Sequence, residues 1–149
     1  MKPMQTALAA SLLGVALVKL FWVGLFVVGY GSIGSGSVYI VAHAVTAALL
    51  LWGVALVWRS SPRWSIPVAL GGFVHLTVIS PVVLGWVLTG RFKDFWAFAT
   101  TTATHDAIGF WLKFDIVMFQ SLIPAYFFCI LVFIVWRAFA TRGASGACQ

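Results

Sequence analysis

Charged side chains are scarce in this chain of 149 residues, and acidic side chains are the scarcest of all. Glutamate is absent, and the three aspartates fall within one short window: Asp94, Asp106 and Asp115. Charged residues make up 8% of the chain and hydrophobic residues 62%, whereas soluble domains carry about a quarter charged residues. The composition therefore excludes a water-soluble fold. It also confines any carboxylate chemistry to three positions.

Cysteines are few, and the familiar catalytic motifs are missing. Cys129 and Cys148 do not have the spacing of a metal or redox site. We expect Cys129 to be a small core residue of the last helix and Cys148 to be a free thiol on the tail. The sequence has no phosphate-binding loop, nucleophile elbow, zinc pair or internal repeat. We therefore expect neither a bound metal nor a cofactor.

The chain is instead dominated by four long apolar runs, at about 6–30, 38–58, 66–88 and 109–137. About 20 helical residues at 1.5 Å each cross a hydrocarbon layer of ~30 Å, so each run is long enough to span a membrane. Pro81 predicts a kink in the third run. The expected fold is all-α, with a single four-helix transmembrane domain over residues 1–140 and a disordered tail at 141–149.

The positive charges predict the orientation of these four spans. Five cations would share one side of the membrane: Lys2, Arg59, Arg63, Arg137 and Arg142. Lys and Arg collect on the cytoplasmic side of membrane helices, so both termini are expected in the cytoplasm. The same rule accounts for the net charge of +6 without a nucleic-acid partner.

The connection between the third and fourth spans, residues 90–112, is predicted to be an interfacial segment. Its apolar residues Phe92, Phe95, Trp96 and Ala99 share one helical stripe. A threonine-rich stretch then leads to His105 and Asp106. Two interpretations are open: a capped helix start with a solvated aspartate, or a polar lid over an intramembrane pocket.

Three basic side chains fall inside the apolar runs. Lys19 is about fourteen residues into the first span, where a charge costs about 2.5–3.5 kcal/mol on insertion scales. It either snorkels to the outer interface or faces the interior with a partner, with Asp106 and Asp115 as the candidate anions. His43 lies near the outer end of the second span, and His75 lies near the middle of the third.

Two histidines on adjacent helices invite comparison with a haem site, but their depths differ by roughly 9 Å. That offset disfavours axial ligation of one flat haem, and no third ligand at helical spacing supports a metal. Ordinary packing histidines remain the alternative. Thr46, Thr77 and Ser80 are expected to hydrogen-bond back to their own helices.

Several short segments resemble the emopamil-binding and sigma-2-receptor-like (EXPERA) membrane proteins, whose shared unit is a four-helix domain. The segment from Lys19 through Gly24 to Tyr30 looks like the family's "H-L-x-x-E-G-x-F-V" helix. Similar too are Thr46 to Gly53 with the Arg/Pro turn after it, Phe73 to Thr77 with Pro81, and Phe110-Trp111 with Pro124 downstream. The family's sterol isomerases use acids of the first two spans and a histidine to move protons. Here Lys19 stands at the histidine position and Val23 at that of the acid, while His43 lies roughly where the second acid belongs.

The resulting hypothesis is a membrane protein that binds a lipid, sterol or terpenoid-like molecule in an aromatic-lined pocket. Lys19, His43 and His75 are its candidate catalytic groups, suited to a cofactor-free proton-transfer isomerisation or cyclisation. The candidate ligand contacts are Trp22, Thr46, Trp52, Thr77, His105, Asp106, Trp111 and Phe114. The expected partners are the bilayer and the hydrophobic ligand, with a homodimer or partner membrane subunits also open. The alternative function is an accessory subunit of a larger quinone or electron-transfer complex. A small transporter is a third class, disfavoured because no inverted repeat is visible.

Overall fold

A computed structural model of the protein describes residues 3–30, 36–91, 93 and 118–146. Every regular element in these ranges is helical, which confirms the all-α prediction for this part of the chain. Helix α1 spans Pro3–Tyr30 and helix α2 spans Gly36–Trp58. Both are long and apolar enough to cross a membrane. They end at the residues where the sequence predicted the first two spans to end.

The third apolar run forms two helices separated by a break. After a 3₁₀ turn at Pro62–Trp64, α3 covers Ser65–Val74 and α4 covers Pro81–Leu88. Between them lies a π-helical turn at His75–Ile79. Ser80, at φ −127° and ψ 50°, leaves the helical conformation, because the ring of a following proline disfavours the α region for the residue before it. The predicted kink at Pro81 is confirmed.

The last described helix repeats this pattern. A π-helical turn at Met118–Leu122 precedes α5, which covers Ile123–Gly146 and has Pro124 as its second residue. A proline has no N–H and crowds the carbonyl four residues before it, and each π turn contains that carbonyl. Widening the turn from i→i−4 to i→i−5 bonds, as in Ser80 N–H to the His75 carbonyl, relieves both problems.

Small residues set the spacing between the helices. A Cβ on Gly53 of α2 would come within 2.7 Å of Cγ2 of Val68 on α3, and a Cβ on Gly72 of α3 would come within 3.0 Å of the Phe127 ring on α5. Such glycines let helix backbones approach closely where a hydrophobic driving force is weak. The buried core runs through these crossings and draws on all the long elements, with Leu12, Leu50, Val68, Leu76 and Phe127 among its members.

Three further predictions have different outcomes. Cys129 is exposed on α5, so its prediction as a core residue was wrong. Helix α5 runs to Gly146 and thus occupies 141–146, where a disordered tail was predicted. The predicted interfacial segment at 90–112 lies outside the described residues, apart from Gly90, Arg91 and Lys93. Gly90 has φ +70° and follows α4, a left-handed conformation that glycine supplies where helices end.

Candidate functional site

Lys19 of α1 is completely buried, with 0% of its surface exposed. Its Nζ lies 2.5 Å from Nδ1 of His75, the first residue of the π turn after α3. Of the two alternatives for Lys19, the interior position is confirmed, and it joins two of the three predicted catalytic side chains. Asp106 and Asp115, the candidate anions, lie outside the described residues.

The hydrogen bonds around His75 determine which of its ring nitrogens carries the proton. Ser80 Oγ donates to the Phe119 carbonyl over 2.6 Å, so its single proton is committed there. The same oxygen lies 3.4 Å from Nε2 of His75 and must act as the acceptor. Nε2 therefore bears the hydrogen of a neutral His75, and its bare Nδ1 accepts a hydrogen bond from Lys19. One directed chain thus runs from Lys19 through His75 and Ser80 to the Phe119 carbonyl.

The two proline-linked breaks bring together the last two members of this hydrogen-bonded series, Ser80 and Phe119. Ser80 occupies the non-helical position before Pro81, so its side chain bridges to another helix instead of bonding back to its own. Phe119 lies in the second π turn, before Pro124. A carbonyl in such a distorted turn is available to an external donor more readily than one in a regular helix. The prediction that Ser80 bonds to its own helix was therefore wrong.

Phe119 is the common contact of the cluster. Lys19 Nζ lies 4.8 Å from the centroid of its ring, within the range of a cation–π interaction. The Trp22 and His43 rings meet it edge to face at centroid distances of 4.9 and 5.1 Å. Lys19 and His43 therefore contact one buried aromatic ring, and His75 is joined to Lys19 by their hydrogen bond. Lys19 is also close enough to act electrostatically on both imidazoles.

His43 differs from its neighbours in its hydrogen bonding. Its side chain is 3% exposed and stands between Phe119 and Phe26, whose centroid is 5.9 Å away. Within the part of the chain that the structure describes, its Nδ1 is buried without a hydrogen-bond partner. A buried polar atom left in this state costs about 1–3 kcal/mol, so His43 has an unused capacity to bind a polar atom.

Of the eight predicted ligand contacts, four lie among the described residues and four do not. Thr46 is buried but donates to the Ala42 carbonyl, and Thr77 donates to the Phe73 carbonyl, as predicted for bonds within one helix. Trp22 packs on Phe119, whereas Trp52 is 54% exposed on the outside of α2. The other four fall outside the described residues: His105, Asp106, Trp111 and Phe114.

The donor set is poorly suited to a metal. Among the described residues, no three His, Cys, Asp or Glu side chains are grouped to hold one. Both ring nitrogens of His75 already have hydrogen-bond partners, which leaves neither available as a ligand to iron or zinc. The arrangement is suited instead to accepting, donating and moving protons.

Two cavities among the described residues lie apart from this cluster. A groove of about 440 Å³ runs between the first half of α2 and the π turn and is lined largely by valines, including Val41 and Val78. A second cavity, of about 270 Å³, lies near the start of α3 beside Arg137. Neither is lined by Lys19, His43 or His75, so the polar cluster is enclosed by side chains in this conformation.

Comparisons of the chain with protein-family models, with curated proteins and with solved structures find no match. The cluster around Lys19, His43 and His75 is therefore the basis for a functional proposal.

Sequence reasoning missed two members of the cluster, Ser80 and Phe119. Ser80 had a usable signal, because a residue before proline leaves the helix and its hydroxyl is then free to bond elsewhere. Phe119 had none, since one phenylalanine among thirteen does not reveal that its ring contacts a lysine and its carbonyl accepts a hydrogen bond from a serine.

Proposed function

We propose that this chain is an integral membrane protein whose helical bundle binds a hydrophobic molecule carrying a polar oxygen. The apolar body of the ligand would pack among the aromatic rings near Phe119. Its oxygen would lie at His43, beside the Lys19–His75 pair. The observation that carries this proposal is the buried Nδ1 of His43, which lacks a partner in the described residues and belongs to a ring packed against Phe26 and Phe119.

The membrane setting is supported by the surface of the helices. Two helices meet the length and apolarity of a membrane span, and large apolar side chains are exposed along the bundle, among them Val28, Phe73, Val132 and Phe139. Trp58 and Trp136 are exposed near the ends that carry the arginines, which is typical of residues at a membrane interface. Such a surface is stable against lipid and unstable against water.

The proposed chemistry is proton transfer on the bound molecule, as in an isomerisation or cyclisation that uses no cofactor. Lys19 and His75 share a proton along their hydrogen bond, and groups that exchange protons are what general acid–base catalysis requires. The EXPERA resemblance favours the same class of reaction. The sterol-isomerase version depends on acids at positions where this chain has Val23 and His43, so His43 and the Lys19–His75 pair would have to serve instead.

The test measures binding of a pyrene-labelled fatty alcohol to the detergent-purified protein by energy transfer from tryptophan. His43→Phe keeps a planar ring but removes both nitrogens. We expect the affinity to fall about tenfold, the equivalent of one hydrogen bond of roughly 1.4 kcal/mol. The same substitution should leave the ligand-free protein equally stable or about 1 kcal/mol more stable, because it removes an unsatisfied polar group.

Thr77→Val is the matched control, since this hydroxyl bonds within its own helix, and it should change neither affinity nor stability. Lys19→Leu and His75→Phe should also weaken binding, because each removes one member of the Lys19–His75 hydrogen bond. The proposal is wrong if His43→Phe and the two other substitutions all bind the alcohol as tightly as the unmodified protein.

In the accessory-subunit alternative, the same exposed apolar surface contacts other membrane proteins. It requires partner chains that co-purify in a fixed ratio after mild solubilisation. A monodisperse chain that binds the alcohol by itself would support the ligand-binding proposal, and fixed-ratio partners without alcohol binding would support the alternative.

A further inference from the structure

We infer that Lys19 forms an imine with the carbonyl carbon of an apolar aldehyde or ketone, which makes this lysine a covalent attachment site. The inference deepens the proposed function and rests on it, because it names the class of ligand that the cluster would hold. A primary amine enclosed among aromatic rings and hydrogen-bonded to an imidazole has the two features that imine chemistry needs: a nucleophile and an adjacent proton carrier.

The geometry supplies the proton carrier at the required atom. Ser80 holds His75 in the tautomer whose Nδ1 lone pair points at Lys19 Nζ. This lone pair can take a proton from the lysine and so expose the nitrogen lone pair for attack. If Nδ1 carried the hydrogen instead, His75 could not act as the base toward this amine. The serine thus positions the imidazole, although it does not touch the reacting atoms.

His43 supplies a further group that the reaction can use, one that binds the carbonyl oxygen. It contacts the same Phe119 ring as Lys19 does, and its Nδ1 has no partner in the described residues. A hydrogen bond from an imidazole N–H would polarise the carbonyl and stabilise the negative charge that develops on oxygen during attack. Lys19 and His43 would then approach the two ends of one C=O bond.

The reaction balances without an oxidant or reductant. The Lys19 ammonium gives one proton to His75 Nδ1, and the amine adds to the carbonyl carbon while a proton moves from nitrogen to oxygen, giving a carbinolamine. The His75 imidazolium returns its proton to the hydroxyl group, water leaves and the C=N bond forms. The net change converts an ammonium and a carbonyl compound into an iminium and one water molecule.

The experiment uses the aldehyde with the same pyrene-labelled skeleton as the alcohol. The full-length protein in detergent is incubated with it in cyanoborohydride, which reduces an iminium to a stable secondary amine, and the adducts are located by peptide mass spectrometry. We expect adduct at Lys19 to form at least about tenfold faster than at the exposed Lys93, because a positioned pair reacts as an intramolecular one. Adduct at Lys93 without adduct at Lys19 would overturn the inference.

His75→Asn tests the role of the imidazole. An asparagine oxygen can still accept a hydrogen bond from Lys19 but cannot carry its proton, so we expect labelling of Lys19 to slow roughly a hundredfold, measured at aldehyde concentrations that saturate binding. Unchanged labelling would remove His75 from the mechanism. Alcohol binding with no Lys19 adduct refutes the imine and leaves the binding proposal intact, whereas failure of both probes refutes both.

Discussion

At the scale of single residues, the most informative side chain is one for which the sequence predicted the wrong hydrogen-bond partner. Ser80 accepts from His75 and donates to Phe119, and its hydroxyl therefore connects the third apolar run to the fourth. Because it is buried, its loss would remove one hydrogen bond from the Phe119 carbonyl and one from the His75 imidazole at the same time. A short side chain before a proline thus determines which ring nitrogen of His75 carries the proton.

We expect Ser80→Ala to lower the free energy of unfolding by about 1–3 kcal/mol, the cost of leaving buried polar groups unpaired. Unfolding in mixed detergent micelles measures it. Thr77→Val is again the control, because that hydroxyl bonds only within its own helix, and we expect a change within about 0.5 kcal/mol. Equal effects of the two substitutions would mean that the Ser80 bridge contributes nothing of its own.

At the scale of helices, the elements were predictable and their irregularities only partly so. Apolar run length set the ends of α1 and α2, and Pro81 marked the break in the third run. The π turns escaped prediction because a proline in a helix permits several local solutions, including a kink, a 3₁₀ turn or a π turn. Which one forms depends on tertiary partners such as Lys19 and Phe119, which lie far away in sequence.

The sequence left two alternatives for Lys19, and the interior position beside His75 could not be chosen from the sequence alone. Depth along a helix can be counted from the sequence, but the direction in which a side chain points depends on how the helices are rotated against each other. Helices that are apolar on nearly all sides have no strong amphipathic stripe to specify that rotation. The close helix approaches at glycine provide the missing information, and they are recognisable only in three dimensions.

We expect Gly53→Ala to destabilise the protein by about 1–3 kcal/mol, because the new methyl group would meet the buried, β-branched Val68. Gly24→Ala is the matched control on α1: apart from its chain neighbours and the backbone of its own helix, no described atom lies within 4 Å of its added Cβ. Alanine also favours helix over glycine by up to about 1 kcal/mol. Opposite signs of the two changes in unfolding free energy would support the close packing of α2 on α3, and equal signs would contradict it.

At the scale of the whole molecule, the orientation of the chain remains a prediction from its charges. Exposed Arg59 and Arg63 follow α2, and Arg137 lies toward the end of α5. These cations would share one side in a four-span arrangement with both termini in the cytoplasm. Two helices meet the criteria of length and apolarity in the described residues, and the four-span arrangement is a prediction from the sequence.

Reporter fusions in a bacterial membrane test this arrangement. Alkaline phosphatase fused after residue 30 or after residue 90 should be active, because both points would lie outside the cytoplasm. Phosphatase fusions after residue 61 and at the C-terminus should be inactive. A fluorescent protein fused at the same two points should be fluorescent. Activity at the C-terminus would mean an odd number of spans and would remove the basis for the predicted orientation.

The buried contact between Lys19 and His75 also has a consequence for biosynthesis. The two residues are 56 positions apart, and at about 5–20 residues per second a ribosome takes roughly 3–11 s to add the second after the first. If α1 enters the lipid as it is made, its ammonium must wait for that period before the imidazole arrives. During this period the translocation machinery must hold the ammonium group, or the lysine stem must bend so that the charge stays out of the hydrocarbon. Packing of the third apolar run against α1 then provides His75 as a hydrogen-bond partner.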